Sequence, residues 1–161
     1  MKKWIPLILA AFMIMPVSVK AGEPIAPCAE ILGPTKDAPL NARGVALMYH
    51  IKRELNDERT SLSVHALHMP KPSAYGDYDR YEVLANIPNV ISWRFNLTEY
   101  AESAWAGKLD EISGGLKPSR IQVRTINSRT NRTGPVVLQK SVDCRKNRKD
   151  MDMVTYTYPG M

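Results

Sequence analysis

The sequence predicts an α+β domain that is mainly antiparallel β, with about six to eight strands in a sandwich or a single sheet and one amphipathic helix near residues 98–112. Three observations support this prediction. Apolar and polar residues alternate with period two in runs separated by turn-forming residues, which is typical of half-buried strands. One run instead repeats its apolar residues at helical spacing. The chain also has two cysteines, one near each end of the domain.

Residues 1–21 read as a bacterial-type secretory signal peptide. Two lysines give a basic start, an apolar stretch follows, and Val19 and Ala21 are small residues at the positions that signal peptidase reads. The apolar stretch is roughly half the ~20 residues that a membrane-spanning helix needs. The sequence therefore predicts cleavage before Gly22, a periplasmic or secreted location and no stable membrane anchor after cleavage. Residues 22–161 are then a single domain.

Cys28 and Cys144 are expected to form a disulfide, because two cysteines in an exported chain allow one pairing. Closing so long a loop stabilises a fold by roughly 4–5 kcal/mol in the chain-entropy model. The proline-rich segment 22–43 is predicted to run extended over the surface, pinned by Cys28.

The first predicted hairpin joins residues 44–55 to residues 61–69. In the first of these runs one face carries Val45, Leu47, Tyr49 and Ile51, and the other carries Ala46, Met48 and His50. A second pair of runs covers residues 81–87 and 90–97. Its second run has the strongest alternation in the chain, with Ile91, Trp93, Phe95 and Leu97 on one face, and is predicted to lie in the middle of the core.

The helix is predicted from an apolar pattern that ends at two glycines. Tyr100, Ala101, Ala104, Trp105, Leu109 and Ile112 recur at helical spacing. Asn96 or Thr98 can cap the start, and Ser113-Gly114-Gly115 can end it. Gly107 weakens the helix midway, so its stability must come from packing against a sheet.

A third hairpin occupies residues 117–144, around a loop that contains Arg129 and Arg132. After residue 117 the basic side chains outnumber the acidic ones, whereas the reverse holds between residues 22 and 116. This asymmetry predicts a cationic tip that steers an acidic protein partner, or else arginines that are simply solvated. A last strand is predicted at residues 153–158.

A second candidate surface is the tyrosine loop, defined here as residues 75–81. Tyr75, Tyr78 and Tyr81 are separated by Gly and Asp, a composition found in many binding loops. The alternative is that Tyr75 or Tyr81 folds back as a lid on the core. The predicted binding residues are therefore these three tyrosines together with Arg129 and Arg132.

Motifs for catalysis, metal binding or phosphate binding are absent from the sequence, so it predicts no catalytic residue, no metal and no cofactor. His50 and His65 could approach each other only if their strands pair, which gives at most two ligands. Nucleic acid is excluded as a partner because the chain has an export signal and lacks a nucleic-acid-binding motif.

The predicted function is an exported, non-enzymatic protein-binding domain, such as an inhibitor or immunity-like partner of an extracytoplasmic protein. Small size, export, one disulfide and a β-rich pattern are also typical of pilus or surface-assembly subunits, which form the first alternative. A small periplasmic hydrolase or metal-binding protein, with a site assembled in space, is the second alternative. The sequence does not predict an oligomeric state.

Overall fold

The computed structural model describes residues 27–52 and 57–144, which form an antiparallel β-barrel of eight strands. In chain order the strands are β1 (Cys28–Pro34), β2 (Arg43–Lys52), β3 (Glu58–Leu67), β4 (Arg80–Ile87), β5 (Ile91–Ala101), β6 (Ala104–Ser113), β7 (Arg120–Asn127) and β8 (Arg132–Ser141). Around the barrel their order is β1-β2-β3-β6-β5-β4-β7-β8, and β8 returns to β1. A 3-10 helix, Pro72–Tyr75, lies between β3 and β4.

The two ends of the barrel differ. The capped end carries the 3-10 helix, the tyrosine loop, the short β5–β6 turn and the β7–β8 hairpin tip. The disulfide end carries Cys28, Cys144 and the β4–β5 turn. Among the described residues no helix is long and apolar enough to cross a membrane.

The interior of the barrel is a packed core. Its fully buried side chains come from seven strands: Leu32, Met48, Leu62, Val64, Tyr81, Val83, Ile112, Ile121, Val123 and Leu138, with Leu97 of β5 nearly as buried. An eight-stranded barrel is just wide enough for side chains to fill it, so these residues occupy the space that a wider barrel would leave open. Alternate residues along each strand point outward, as the period of a strand requires.

The predicted α+β fold class is wrong, because residues 98–112 form the end of β5, a tight turn and most of β6. Ser103 adopts a φ of 59° in that turn, so the chain reverses where the helix was expected to continue. The same apolar residues that are spaced for one face of a helix can also lie in two strands joined by a turn. Backbone pairing between β6 and β3 stabilises the strands over the helix. Gly107, in the middle of the predicted helix, was the residue in the sequence that argued against a helix, because glycine is unfavourable in a helix interior.

The predicted sandwich or single sheet is also wrong, since the strands close into a barrel. Within the proline-rich segment that was expected to cover the surface, residues 28–34 are instead the barrel strand β1. β5 does not lie in the middle of the core: Leu97 is buried, whereas Trp93 and Phe95 are half-buried and Ile91 is exposed. The predicted signal peptide and the predicted last strand, 153–158, lie outside the described residues.

Closure of the barrel depends on β1 and β5, each of which changes partner along its length. β1 pairs with β2 over Cys28–Leu32 and with β8 at Gly33 and Pro34. β5 pairs with β4 from Ile91 to Leu97 and with β6 from Thr98 to Ala101. The β1–β8 seam and the β5–β6 seam are therefore both laddered near the capped end and both lack a ladder towards the disulfide end.

The disulfide between Cys28 and Cys144 is confirmed, with the two Cα atoms 5.4 Å apart. The pairs Gly33 with Gln139 and Pro34 with Leu138 set a register that, extended down the seam, puts Cys28 opposite Cys144. The bridge therefore holds together the end of a seam whose backbone ladder has stopped.

Candidate functional site

The tyrosine loop closes the capped end of the barrel. Tyr81 is fully buried, donates a hydrogen bond from its hydroxyl to the Pro70 carbonyl at 2.8 Å, and packs edge-on against Trp105 with ring centres 5.0 Å apart. Burial raises the pKa of the Tyr81 phenol, and also that of Tyr75, which packs edge-on against Tyr81. The rings of Tyr75 and Tyr81 therefore belong to the lid over the core.

Tyr78 lies half-buried across β8. A Cβ atom placed on Gly134 would come within 2.5 Å of the Tyr78 ring, so a larger residue at this position would displace the ring. Of the three predicted binding tyrosines, Tyr78 contacts the neighbouring hairpin rather than the centre of the core.

The structure brings the two sequence-predicted surfaces together. Asn127, the last residue of β7, donates from its side chain to the backbone and side-chain oxygens of Asp77, each at 3.0 Å. Ser128 donates from its backbone N–H and its hydroxyl to the Asp79 carboxylate, at 2.7 and 2.5 Å. These bonds from Ser128, its hydroxyl first, lower the pKa of Asp79. The tyrosine loop and the cationic tip thus form one hydrogen-bonded surface at the capped end.

Arg129 and Arg132 are exposed on this surface. Arg129 lies in the turn between β7 and β8, and Arg132 is the first residue of β8, paired with Asn127. The Asn127 side chain accepts from the backbone N–H groups of Arg129 and Thr130, at 3.1 and 3.0 Å, which holds the turn in place. The turn that carries Arg129 is therefore fixed to the end of β7 by these side-chain hydrogen bonds.

A larger feature, missed at the sequence level, lies on the outside of the barrel. Ile31, Val45, Leu47 and Leu67 project outward from β1, β2 and β3, and this set is called the apolar wall below. Their exposed fractions are 67%, 45%, 39% and 45%. Ile31 is directly opposite Val45 in the β1–β2 ladder. In the β2–β3 ladder Leu67 is opposite Arg43 and diagonal to Val45, whose direct neighbour on β3 is His65.

The apolar wall arises because β2 turns its more apolar face outward. Gly44 and Ala46 point into the core, where a Cβ atom on Gly44 would already lie 3.0 Å from a Leu138 methyl and 3.2 Å from a Leu32 methyl. The interior has no room for Val45 or Leu47 beside these leucines. Alternation showed that the two faces of β2 differ, but it did not show which face is buried.

Polar groups border the apolar wall. At one edge Arg43 donates from Nη1 to the carbonyls of Leu40 and Ala42, both at 2.7 Å. At the other edge Asp110 accepts from the Ser61 hydroxyl at 2.5 Å and pairs with Lys108 at 2.9 Å. Hydrogen bonds from Ser61 and then Lys108 lower the pKa of Tyr49 in this cluster. Apolar residues inside a polar border are the arrangement typical of protein interfaces.

The histidines of β2 and β3 do not come together on the barrel. Ser61 donates to a carboxylate rather than to a histidine. His50 points inward, next to Thr60, whereas His65 points outward beside Val45 and packs edge-on against Tyr100. Within residues 27–52 and 57–144 no three His, Cys, Asp or Glu side chains lie close enough to hold a metal ion.

The fold and these surfaces define a class: a small disulfide-bridged antiparallel barrel with a core filled by side chains and its candidate binding surfaces on the outside. Comparison with known sequences adds the family. Residues 24–146 match the family described as SPbeta prophage-derived uncharacterized protein YoqH, and the chain belongs to that family. The chain is 38% identical over 149 residues to the protein of that description from Bacillus subtilis (strain 168), covering 89% of this chain and 98% of the relative. No solved structure matches the chain.

Proposed function

We propose that the chain is an exported, non-enzymatic protein-binding domain that binds its partner through the apolar wall. The observation that carries this proposal is the outward position of Val45 and Leu47, next to Ile31 and Leu67, on a rigid face of the barrel. Contiguous apolar side chains on the surface of a small soluble domain mark interaction sites. An inhibitor or immunity-like role towards an extracytoplasmic protein would use such a face.

The chemistry of the border indicates what the partner presents. Arg43 is exposed, and it forms no ion pair within the described part of the chain. A partner that covers the wall therefore needs an apolar strip with a carboxylate at the position that meets Arg43. The cationic tip, with Arg129 and Arg132, would attract such an acidic partner from a distance without contributing most of the affinity.

Export is part of this proposal. The Cys28–Cys144 bridge supports it, because disulfides persist in oxidising compartments. The mass of the intact protein recovered outside the cytoplasm should correspond to a chain that begins at Gly22. A chain that still carries its first residues, or that is found reduced in the cytoplasm, would contradict the proposed location.

The binding surface is tested by Val45→Thr/Leu47→Thr, which keeps strand-forming residues while making the wall polar. Its matched control is Val90→Thr, which changes an equally apolar residue that is 70% exposed in the β4–β5 turn. Proteins captured by the wild type are compared with those captured by each variant. A captured protein is then purified, and its affinity for the wild type and for both variants is measured by titration. The wall variant should weaken binding at least about tenfold, as expected for a central interface residue, with no change for the control.

Three outcomes would contradict the proposal. One is a partner whose affinity is unchanged by the wall variant. Another is an affinity reduced equally by Val90→Thr. The third is concentration-dependent dimerisation of the wild type, measured by sedimentation and abolished by the wall variant. That result would assign the wall to a second copy of the chain.

A further inference from the structure

We propose that residues 91–95 of β5 form a second binding site, which takes up an extended polypeptide segment by strand addition. This site is separate from the apolar wall and does not depend on it. On one side this part of β5 is laddered to β4, from Ile91 opposite Ile87 to Phe95 opposite Val83. On the other side the ladder to β6 does not begin until Thr98.

The backbone of residues 91–95 is therefore a strand edge within an otherwise closed barrel. No backbone partner for that side occurs among the described residues. Backbone N–H and C=O groups at such an edge are a template for another strand, because each must be satisfied by water or by a new partner. Binding of this kind obtains its affinity from main-chain hydrogen bonds and its selectivity from alternate side chains.

Apart from the outward charge of Arg94, this edge lacks the features that usually protect a strand edge. Residues 91–95 read Ile-Ser-Trp-Arg-Phe, without a proline, a glycine or an inward-pointing charge. The β1–β8 seam differs, since the Cys28–Cys144 bridge joins its two strands where the ladder stops. One seam is blocked, whereas the other is open to an additional strand.

The side chains along the edge indicate the chemistry of the occupant. Trp93 and Phe95 point towards the core and remain half-exposed, so they would contact apolar residues at alternate positions of an added strand. Ser92 and Arg94 point outward and are exposed, and Arg94 forms no ion pair within the described part of the chain. The segment that fits is extended, apolar on one face, and acidic opposite Arg94.

This chemistry favours a segment from another protein over a second copy of this chain. Two β5 edges that paired with each other about Trp93 would place one Arg94 diagonally across from the other, without a carboxylate between them. Like charges across adjacent strands are destabilising. An acidic segment from a partner protein replaces that repulsion with an ion pair.

The test uses a nine-residue probe peptide, blocked at both ends, in which valine alternates with threonine or glutamate. Two further probes carry backbone N-methyl groups, one on every valine and the other on every threonine and glutamate. In a strand, alternate residues direct their N–H groups to opposite edges, so only one N-methylated probe loses the bonds to β5. We expect the unmethylated probe to slow hydrogen exchange of those amides of residues 91–95 that point away from β4. One N-methylated probe should lose at least about tenfold in affinity while the other keeps it.

Arg94→Glu tests the position of the site, with Arg120→Glu on the fully laddered β7 as the matched control. Arg94→Glu should weaken binding of the unmethylated, glutamate-containing probe about fivefold, in line with a cross-strand charge pair. Arg120→Glu should leave the affinity for this probe unchanged. Equal binding of both N-methylated probes, or no protection of the amides of residues 91–95 that point away from β4, would overturn the proposal. Slow exchange of those same amides in the protein alone would also overturn it. If that protection were the same at all protein concentrations, another segment of the same chain would be paired with this edge. If it grew with protein concentration, a second copy of the chain would be paired with it.

Discussion

The β1–β8 seam and the β5–β6 seam are alike near the capped end and different near the disulfide end. Both are laddered close to the loops that cap the barrel. Farther along, the β1–β8 seam is joined by the Cys28–Cys144 bridge and by the Glu30 carboxylate, which accepts a bond from the Asp143 N–H at 3.1 Å. The β5–β6 seam leaves the edge of residues 91–95 beside the half-exposed rings of Trp93 and Phe95.

This difference shows that a small barrel does not need continuous pairing around its whole circumference. The buried side chains of the core hold the two halves together, and the ladders at the capped end set the register. One seam is closed by a covalent bond, and the other has no ladder to β6 before Thr98. Four predictions test this comparison, from the largest expected effect to the smallest.

The largest effect should come from removing the bridge with Cys28→Ala/Cys144→Ala. Loss of the cross-link between residues 116 positions apart should lower the free energy of unfolding by about 5 kcal/mol in the chain-entropy model. Urea denaturation gives the magnitude, and hydrogen exchange should show faster opening near Cys28 than near residues 91–95. A loss below ~1 kcal/mol would mean that the β1–β8 seam is held by packing, like the other seam.

The second prediction compares the change in unfolding free energy when one glycine of each seam is replaced by alanine. A Cβ atom on Gly107 of β6 would lie 2.5 Å from the Asn96 carbonyl oxygen of β5, whereas a Cβ atom on Gly33 of β1 meets nothing within 4 Å. Gly107→Ala should therefore destabilise the fold by about 1–3 kcal/mol through overpacking. Gly33→Ala is the matched control and should stabilise it by about 0.4–1 kcal/mol, because the unfolded chain loses freedom. Equal effects in thermal or urea unfolding would show that the β5–β6 seam is already parted at Gly107.

A smaller effect is expected at Glu30, inside the β1–β8 seam. Glu30→Met removes the acceptor of the bond from the Asp143 N–H and should cost about 1 kcal/mol of unfolding free energy. Glu30→Gln keeps an oxygen acceptor at the same place and should cost less. If both variants unfold at the same urea concentration as the wild type, the carboxylate does not help to close this seam.

The smallest effect concerns the capped end that both seams share. The two bonds from Ser128 lower the pKa of Asp79 below its ordinary value of 3.8. Because the folded-state pKa is the depressed one, the stabilisation by Asp79 is complete above its unfolded-state pKa and is lost as the pH falls through the folded-state pKa. Ser128→Ala should move the Asp79 pKa back up in a carboxyl-carbon NMR titration. Ser119→Ala, at the disulfide end, is the control that should leave it unchanged.

Much of the local structure was readable from the sequence. Period-two alternation located the hairpins that became β2–β3, β4–β5 and β7–β8, because a strand must alternate its side chains between two faces. The cysteine count allowed one disulfide. The tyrosine loop and the arginine tip were found separately, but their joining through Asp77 and Asp79 was not predicted, because those bonds link residues about 50 positions apart.

Tertiary structure decided the features on which the proposed function depends. Residues 98–112 carry a pattern compatible with a helix, and only the ladder to β3 made them strands. Both faces of β2 are apolar, so periodicity could not choose between them; the leucines that fill the narrow interior beside Gly44 left Val45 and Leu47 outside. The sequence by itself determined the three hairpins that contain β2–β3, β4–β5 and β7–β8 and which cysteines pair, since these follow from local alternation and composition. Which apolar face is buried and which edge stays open depend on space and pairing between distant strands, and these exist only in the folded barrel.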